Sequence, residues 1–309
     1  MALTSTTGAG AAFTPTEYAE QFFTHLHAQS VGLASGFRTV TTSATQLSVP
    51  RLNADAAANW TAEADEITVS DPDADEVVAV PRKVAALTYV SNEVVSDANP
   101  DVLDMLSQSM ARAMSLKLDL GFFEGTGVAP QIRGLKNTTG VQTVSMGANG
   151  AALANLDPFA DALGLLAEAD AAGSAIVMHP RTWRALTKLK EQTSGHNKPL
   201  LAEHAASPAG PVGGGADAGR QSVGSIYGVP VWLSSQLSTT ETQGTASAAS
   251  SAYVYDAAQL VAVMRAGATI TADTSAKFSS DQTAVRATMR ADLVAPYPEA
   301  VTRIVGIVP

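Results

Sequence analysis

Residues 60–135 read WTAEADEITVSDPDADEVVAVPRKVAALTYVSNEVVSDANPDVLDMLSQSMARAMSLKLDLGFFEGTGVAPQIRGL. The first part is acidic: Ile67 and Val69 alternate with polar residues, a turn-forming DPDAD run covers 71–75, and a valine-rich segment returns over 76–90. This pattern predicts a long two-stranded hairpin. Because an isolated two-stranded arm is marginal in water, we expect it to lie on the rest of this chain or on a second copy.

A long helix is predicted to follow the hairpin, over residues 100–124. Asn99 suits the N-cap, Pro100 suits the first helical position, and acidic residues occupy the first turn. Apolar residues recur at spacings of three and four and form one stripe, made of Leu103, Leu106, Met110, Met114 with Ala113, and Leu118. Gly125 and Gly127 are expected to end the helix, which would be roughly 37 Å long.

The composition excludes several classes of protein. The chain has 309 residues, 46% of them hydrophobic, which is enough for the core of one or two domains. A net charge of -10 argues against a nucleic-acid-binding surface, and the absence of cysteine excludes disulfides, thiol chemistry and Cys-based metal sites. The sequence shows neither a secretory signal nor an apolar stretch long enough to cross a bilayer, so we expect no membrane partner.

Weaker patterns predict the remaining elements. They are a linker over 141–156, a helix capped by Asp157 with Pro158 at its first position, a buried strand over 175–178, a helix over 180–191, a flexible loop over 207–220, and strands over 225–234, 252–263 and 284–308. The succession of helix, strand and helix indicates a compact α/β domain. The C-terminal strands must pair somewhere, and the most economical partner is the sheet that begins after the hairpin.

The sequence offers little for catalysis or ligand binding. The glycines at 213–215 lack the Gly-Lys-Ser/Thr of a phosphate-binding loop, no Gly-x-Ser-x-Gly elbow occurs, and the five histidines are scattered. The hairpin carboxylates lack the EF-hand spacing, which favours a solvated acidic edge over a Ca²⁺ site. We therefore predict no catalytic residue, no cofactor, no metal and no enzymatic activity.

The order of the motifs resembles that of the major capsid proteins of tailed bacteriophages with the Hong Kong 97-type fold. The resemblance covers residues 15–309 and depends on the ordered set, because each motif alone is loose. In chain order the motifs are Trp60-x-x-Glu63, Asp71-Pro72, Lys83 in an apolar strand, Ser91-x-Glu93, Asp97, Pro100, Asp119, Phe122-Phe123, Gly125-Thr126-Gly127, the run 130–134, His179-Pro180-Arg181-Thr182-Trp183, Tyr227-Gly228-Val229-Pro230-Val231, Arg290-Ala291-Asp292 and Pro298-Glu299-Ala300.

The resemblance implies an α+β protein with an N-arm, an extended hairpin called the E-loop, a P-domain with a long spine helix and a β-sheet, and an α/β A-domain. The ranges that it implies are 1–52 for the N-arm, 53–88 for the E-loop hairpin, 89–150 for the P-domain with its spine helix, 151–262 for the A-domain, and 263–309 for a C-terminal return to the P-domain sheet.

The resemblance also implies a function. It points to a shell subunit that assembles into pentamers and hexamers of an icosahedral head, enclosing double-stranded DNA without sequence-specific binding. Scaffolding, portal and decoration proteins are the other partners implied; the location is the virion capsid, assembled in the cytoplasm of a host bacterium. Two alternatives stay open: an encapsulin-type bacterial nanocompartment shell, and, more remotely, a soluble α/β hydrolase-like enzyme, which the missing nucleophile and metal ligands disfavour.

We predict that the hairpin makes contacts between subunits. The predicted contact residues are Trp60, Glu63, Asp65, Glu66, Asp71, Asp73, Asp75 and Glu76. No Lys or Arg lies among the acidic residues between Asn53 and Pro81, so the arm repels copies of itself and needs a basic or polar surface to lie on. The predicted cationic partners are Arg112 and Lys117, on the long helix of a neighbouring subunit.

Some members of this family lock the mature shell through an isopeptide bond between a lysine on the hairpin and an asparagine of a neighbouring subunit. The hairpin of this chain has no lysine over 53–81, and the nearest, Lys83, follows Arg82 at its base. We therefore expect shells without covalent cross-links.

Overall fold

The computed structural model describes residues 30–54, 56–61, 63, 66, 69–93, 101–191, 198–201 and 222–308. The predictions made for Asp65, Ile67, Asn99, Pro100 and the loop over 207–220 fall outside these residues. Within them the protein is α+β, with a four-stranded sheet, an eight-stranded sheet and a separate two-stranded hairpin.

The elements follow in this chain order. The helices are α1 (Val31–Ala34), α2 (Asp101–Glu124), α3 (Asp157–Glu168) and α4 (Pro180–Thr187). The strands of the first half are β1 (Arg38–Thr42), β2 (Leu47–Ala54), β3 (Asp73–Ala79), β4 (Arg82–Ser91), β5 (Gln142–Ser145) and β6 (Ala151–Ala152). The strands of the second half are β7 (Ala175–Met178), β8 (Gly224–Ile226), β9 (Val229–Leu233), β10 (Glu241–Gln243), β11 (Ala246–Tyr255), β12 (Val261–Lys277), β13 (Gln282–Val294) and β14 (Val301–Val308).

The four-stranded sheet has the order β1-β12-β13-β4 and carries α2 on one face. Strands β12 and β13 form a long antiparallel pair, β4 pairs antiparallel with β13 from Ser91 opposite Gln282 to Arg82 opposite Ala291, and β1 pairs parallel with β12. Side chains alternate across the sheet as the strand period requires, so Val84 and Ala86 of β4 pack in the core. The residues between them face the other way.

Helix α2 covers this sheet with the predicted apolar stripe. Met110, Met114 and Leu118 are buried, and the helix ends at Glu124, before Gly125, as predicted. The assignment of Ala113 to the stripe was wrong, because Ala113 is exposed and Ala111 is buried instead. A turn of 3.6 residues places position 111 above 114 and 118, whereas 113 points away from them.

Strands β5-β14-β11-β7-β9-β8, in this order, form the eight-stranded sheet together with β10, which pairs with β11, and β6, which pairs with β14. An aromatic cluster joins this sheet to α2: the Phe37 ring lies 5.9 Å from Phe122 and 5.3 Å from Tyr255, and Phe123 lies 5.4 Å from Tyr253, between ring centroids. A second core contains Phe159 and Leu166 of α3, Leu186 of α4 and apolar residues of β7, β9, β11 and β14.

The structure corrects the predicted hairpin. Its second strand, β3, begins at Asp73 and pairs with β2, so 71–75 is not its turn and the first strand is not at 67–69. The pairing of β2 with β3 places apolar residues such as Leu47 and Ala79 opposite each other at the base of the hairpin. A tight turn at 71–75 would have paired β3 with the residues just before the turn, and Ala79 would then not lie opposite Leu47. The segment 76–90, predicted as one returning strand, forms parts of two strands, β3 and β4. The strand is interrupted at Val80 and Pro81, because proline has no N–H to donate to a neighbouring strand.

Five further predictions were wrong in detail. The linker predicted over 141–156 contains β5 and β6, which pair with β14. Asp157, predicted as a helix cap, lies inside α3, whose N-cap is Leu156. Helix α4, predicted over 180–191, ends at Thr187. The predicted strand over 225–234 is a tight hairpin, with positive φ at Tyr227 and Gly228. The buried strand over 175–178 is confirmed. Of the C-terminal strands, β13 lies beside β4, but β14 lies in the eight-stranded sheet, where its alternating apolar residues join the second core.

Candidate assembly surfaces

The arm consists of β2, β3 and the segment between them, and it exposes every described residue that the sequence predicted as an inter-subunit contact. The described members of the predicted set, Glu63, Glu66, Asp71, Asp73, Asp75 and Glu76, are exposed, and so is Trp60, whose relative exposure is 105%. Leu52, Val69 and Val78 are also exposed. The arm therefore presents large apolar side chains and carboxylates together, which is typical of a surface that another molecule covers.

The hairpin is strongly negative. Over residues 47–79, eight carboxylates against the single Arg51 leave a net charge of -7. Among the described carboxylates of this range, only Asp75 has an ion pair, with Arg51 Nη2 3.0 Å from its Oδ2. A hydrogen bond from the Glu76 backbone N–H, together with Arg51, lowers the pKa of Asp75. No described cation forms an ion pair with the other described carboxylates of the arm.

The base of the hairpin is anchored on the four-stranded sheet. The backbone N–H of Val80 donates to Asp292 Oδ2 at 2.7 Å, and that of Leu293 donates to Oδ1 at 2.9 Å. Burial raises the pKa of Asp292, against the opposing effect of these two hydrogen bonds and of nearby Arg82 and Arg133. A small apolar cluster of Leu47, Val77, Ala79, Val40, Val261, Val263 and Val294 closes the junction.

The hairpin runs away from the sheet beyond this junction. Arg51 Nη1 donates to the backbone carbonyl of Pro296 at 3.5 Å, and the Leu52 backbone N–H donates to the Tyr297 hydroxyl at 3.2 Å. Both partners follow the C-terminal end of β13. The arm therefore extends past that end of the sheet, where Leu52, Asn53 and Ala54 line a pocket with residues 169–171, Tyr297 and Glu299.

Arg112 and Lys117 lie on the exposed side of α2, away from the sheet. Neither side chain makes a hydrogen bond or an ion pair with another described residue, although the backbone carbonyl of Arg112 accepts the Ser115 hydroxyl at 2.8 Å. No described contact joins the two side chains to the hairpin of the same subunit. They remain the predicted partners of a neighbour's hairpin.

A polar network at the end of α2 was not predicted from the sequence. Lys136 Nζ lies 2.7 Å from Glu124 Oε2 and 2.5 Å from Glu241 Oε1, and Arg303 Nη2 lies 2.7 Å and 2.8 Å from the two oxygens of Glu241. Burial disfavours the charged forms of Lys136 and Glu241, but the hydrogen bonds and opposite charges outweigh it, so the pKa of Lys136 rises and that of Glu241 falls. The network ties the helix to β10 and β14.

The role of Asp119 could not be deduced from its place among the sequence motifs. It is buried in α2 and accepts hydrogen bonds from Ser30 Oγ at 2.6 Å and from the backbone N–H groups of Val31 and Gly32 at 2.9 Å and 3.2 Å. A carboxylate at the start of a helix satisfies N–H groups that have no partner within the helix. Asp119 thus fixes α1 to the long helix.

The Gly125-Thr126-Gly127 motif and Gly134 allow two backbone segments to meet. A Cβ on Gly134 would lie 2.5 Å from the Gly125 nitrogen and 2.7 Å from the Gly121 oxygen, and a Cβ on Gly125 would lie 2.4 Å from the carbonyl oxygens of Gly121 and Ile132. The Gly134 N–H donates to the Gly125 carbonyl at 2.9 Å. Only glycine fits at both positions, so this motif serves the fold.

His179 has a structural role at the start of α4. Its Nδ1 accepts the Arg181 backbone N–H at 3.0 Å, and burial together with the Arg181 charge lowers its pKa. Across the described part of the chain, no group of three or more His, Cys, Asp or Glu residues is arranged to hold a metal ion. Among the same residues, no helix is both long and apolar enough to cross a membrane.

Comparison with known proteins gives a family. The model of the phage capsid family matches residues 10–306. A curated relative, the major capsid protein of Klebsiella oxytoca phage phiKO2, is 26% identical over 132 residues, which cover 42% of this chain. The match covers only 31% of that relative's own length.

Three solved structures have a similar fold. The capsid of an empty GTA particle has a TM-score of 0.69 at 20% identity, over 91% of this chain and 90% of that chain. Chains from Microbacterium phage Oxtober96 and Mycobacterium phage Bobi have TM-scores of 0.65 and 0.63 at 16% and 18% identity, each over 89% of this chain and 90% of the other. These likenesses concern the fold. Because the family model spans nearly the whole sequence, the chain belongs to the phage capsid family, which confirms its resemblance to the major capsid proteins of tailed bacteriophages.

Proposed function

We propose that this chain is a major capsid protein that assembles into pentamers and hexamers of an icosahedral shell around double-stranded DNA. The observation that carries the proposal is the arm made of β2, β3 and the segment between them, whose described carboxylates and Trp60 are exposed to solvent. Such an arm buries its apolar side chains only if a second molecule covers it.

The domains implied by the resemblance are assigned here as part of the proposal. The N-arm takes 1–52, the E-loop 53–88, the P-domain 89–150 with α2 as its spine helix, and the A-domain 151–262, with 263–309 returning through β13 to the P-domain sheet. The observed strand β14 adds a second link, because it runs through the eight-stranded sheet. The two domains of this assignment therefore share one chain-end segment.

The proposal places the protein in the virion capsid, assembled in the cytoplasm of the host bacterium. A portal protein, and scaffolding or decoration proteins, would complete the head. DNA would be enclosed without sequence-specific contacts, which agrees with a net charge of -10.

The test is assembly of the purified protein, followed by size-exclusion chromatography and negative-stain electron microscopy. The proposal predicts closed shells with fivefold and sixfold capsomers. A protein that elutes as a 31.7 kDa monomer at every concentration and salt condition would overturn it. Shells packed with a cargo enzyme would instead identify an encapsulin-type compartment.

A further inference from the structure

The turn between β5 and β6 contains the only asparagine of the sequence that is followed by glycine, Asn149-Gly150. Asn149 is exposed, and Gly150 has a φ of 67°. The Gly150 backbone N–H closes the turn by donating to the Gly147 carbonyl at 3.2 Å. The side-chain amide and the backbone nitrogen that follows it are therefore held together in one tight turn at the surface.

The side-chain amide of Asn149 is held through its oxygen. Asn149 Oδ1 accepts the backbone N–H of Thr245 at 3.1 Å, from the turn between β10 and β11. Gly244 permits this approach, because a Cβ there would overlap Asn149 Oδ1 and the Ala148 carbonyl oxygen. Among the described residues, no acceptor receives a hydrogen bond from Asn149 Nδ2. The nitrogen of this amide is therefore not tied to the described part of the chain.

The other asparagines lack this combination. Each of them is followed by a residue that carries a side chain. In several of them a hydrogen bond also holds the side-chain nitrogen, from Asn53 to Asp73, from Asn92 to Asp281, from Asn137 to the Gly125 carbonyl and from Asn155 to Asp157. Asn149 thus differs from them both in its successor and in its free amide nitrogen.

An asparagine followed by glycine can lose its side-chain amide without an enzyme, because asparagine is chemically labile and glycine does not shield the following nitrogen. The Gly150 nitrogen attacks Asn149 Cγ, the new N–Cγ bond closes a succinimide ring, and the Cγ–Nδ2 bond breaks. Nδ2 leaves as ammonia, together with the proton that the Gly150 nitrogen carried. Water then opens the ring at either carbonyl, which leaves aspartate or isoaspartate at this position.

The surroundings of Asn149 assist this reaction. Negative charge develops on Oδ1 in the tetrahedral intermediate, and the Thr245 N–H is already directed at that oxygen. The hydrogen bond from Gly150 to Gly147 opposes the attack, because the attacking nitrogen must give up its proton. At 3.2 Å, however, this bond is at the long limit for N–H···O.

We propose that Asn149 is a site of spontaneous covalent modification, which converts it through a succinimide to aspartate and isoaspartate as the protein ages. The reaction needs only water and base, and it adds one negative charge to a chain whose net charge is -10. It does not depend on the function proposed above, because it concerns one turn of the folded subunit.

The isoaspartate product should loosen the strand that follows the turn. Isoaspartate inserts an extra methylene group into the backbone just before Gly150. Gly150 has little room to shift, because a Cβ there would lie 2.6 Å from the Gly306 carbonyl oxygen. Strand β6 begins directly after the turn and pairs with the end of β14. We therefore expect the modified turn to weaken this pairing.

Peptide mapping by mass spectrometry tests the proposal on the purified full-length protein. The protein is incubated at alkaline pH in water enriched in the heavy oxygen isotope, so that only the amides lost during the incubation acquire the label. We expect labelling at Asn149 to be at least about tenfold faster than at any other asparagine, because the amide and its attacking nitrogen share one turn. The rate should rise with pH, since the attacking nitrogen must lose its proton.

Two controls make the result decisive. Asn149→Gln keeps a side-chain amide but would have to close a larger ring, so the label should disappear from this peptide and stay unchanged at the other asparagines. The wild-type protein unfolded in urea shows the reactivity of the same sequence without the fold. Labelling at Asn149 in urea but not in the folded protein would mean that the turn protects the amide, and would overturn the proposal, as would equal labelling of all asparagines.

Hydrogen exchange measures the consequence for the fold. The backbone amides of β6 should exchange faster in the aged fraction that contains isoaspartate than in the Asn149→Asp variant, which carries the same charge on an unaltered backbone. Equal exchange in the two samples would contradict the predicted loosening of β6.

Discussion

Asp292 and Asp119 use carboxylates to hold backbone N–H groups at two junctions of the fold. Asp292 fixes Val80, where the hairpin leaves the sheet, and Asp119 fixes Val31 and Gly32 against the long helix. Hydrogen bonds to a charged group are worth about 1.5–3 kcal/mol, more than neutral ones. Both residues belong to motifs of the family resemblance, and the structure gives each a physical role in placing an arm on the body.

Glu241→Gln should destabilise the unassembled protein by about 3 kcal/mol near neutral pH, because Lys136 and Arg303 would face an uncharged amide in a mostly buried site. The pKa of Glu241 is lowered in the folded protein, so its contribution is present above its unfolded value of 4.5 and is lost as pH falls through the lower folded value. The difference between the two proteins, measured by urea unfolding, should therefore shrink below pH 4.5. Glu191→Gln is the control, because its pair with Lys198 is exposed and 4.0 Å long. Equal effects of both variants would refute a special role for the network.

Gly134→Ala tests the close approach at the end of α2. The added methyl would meet backbone atoms 2.5 Å and 2.7 Å away, so we expect a loss of at least about 1–3 kcal/mol in the free energy of unfolding. Gly164→Ala in α3 meets nothing within 4 Å and should instead stabilise the protein by about 0.5–1 kcal/mol. Thermal unfolding of the two variants side by side gives the answer. A neutral Gly134→Ala would mean that the two segments are farther apart than described.

At the scale of elements, the hairpin shows what the sequence could and could not predict. Its acidic character, the long helix, the stop at Gly125 and the buried strand over 175–178 follow from local patterns and were predicted correctly. The DPDAD run was misassigned because its turn propensity is local, whereas the residues of β2 that pair with β3 lie 19 to 32 positions earlier in the chain. β5 and β6 are too short to show a period, and their partner β14 is far away in sequence.

A row of cations on the outer face of the four-stranded sheet was missed for the same reason. Lys83, Arg265 and Arg290 are single cations in three distant segments, and only the register of β4, β13 and β12 brings them into one row. Sequence reasoning instead selected Arg112 and Lys117, which are close together along one helix. Cross-strand neighbours cannot be deduced until the strand order is known.

The hairpin also predicts the chemistry of mature particles. An isopeptide cross-link needs an amine close to an amide, and residues 53–81 contain no lysine. On a denaturing gel, particles should give a single band near 31.7 kDa. Particles assembled with Lys83→Arg should behave identically. A ladder that survives boiling in detergent, and disappears with Lys83→Arg, would show that the lysine at the hairpin base does the chemistry after all.

At the scale of the whole molecule, the subunit joins an arm of charge -7 to a four-stranded sheet of charge +5. Most of the carboxylates of the arm are exposed, so salt should change any contact that the arm makes with a second subunit. The aromatic cluster and the Glu124–Lys136–Glu241–Arg303 network stabilise the body that carries the arm. The account therefore assigns folding to the buried cores and assembly to the exposed arm.

The most direct measurement removes the tip of the arm and asks only about assembly. Residues 55–72 are replaced by Asn-Gly, a two-residue turn that suits a hairpin and leaves β2 and β3 intact. Thermal unfolding reports the fold, and analytical ultracentrifugation reports assembly at matched concentrations. The account predicts a protein with the unfolding temperature of the unassembled full-length chain that sediments only as a monomer or small oligomer. Closed shells of normal size from the shortened protein would contradict the claim that the hairpin holds the subunits together.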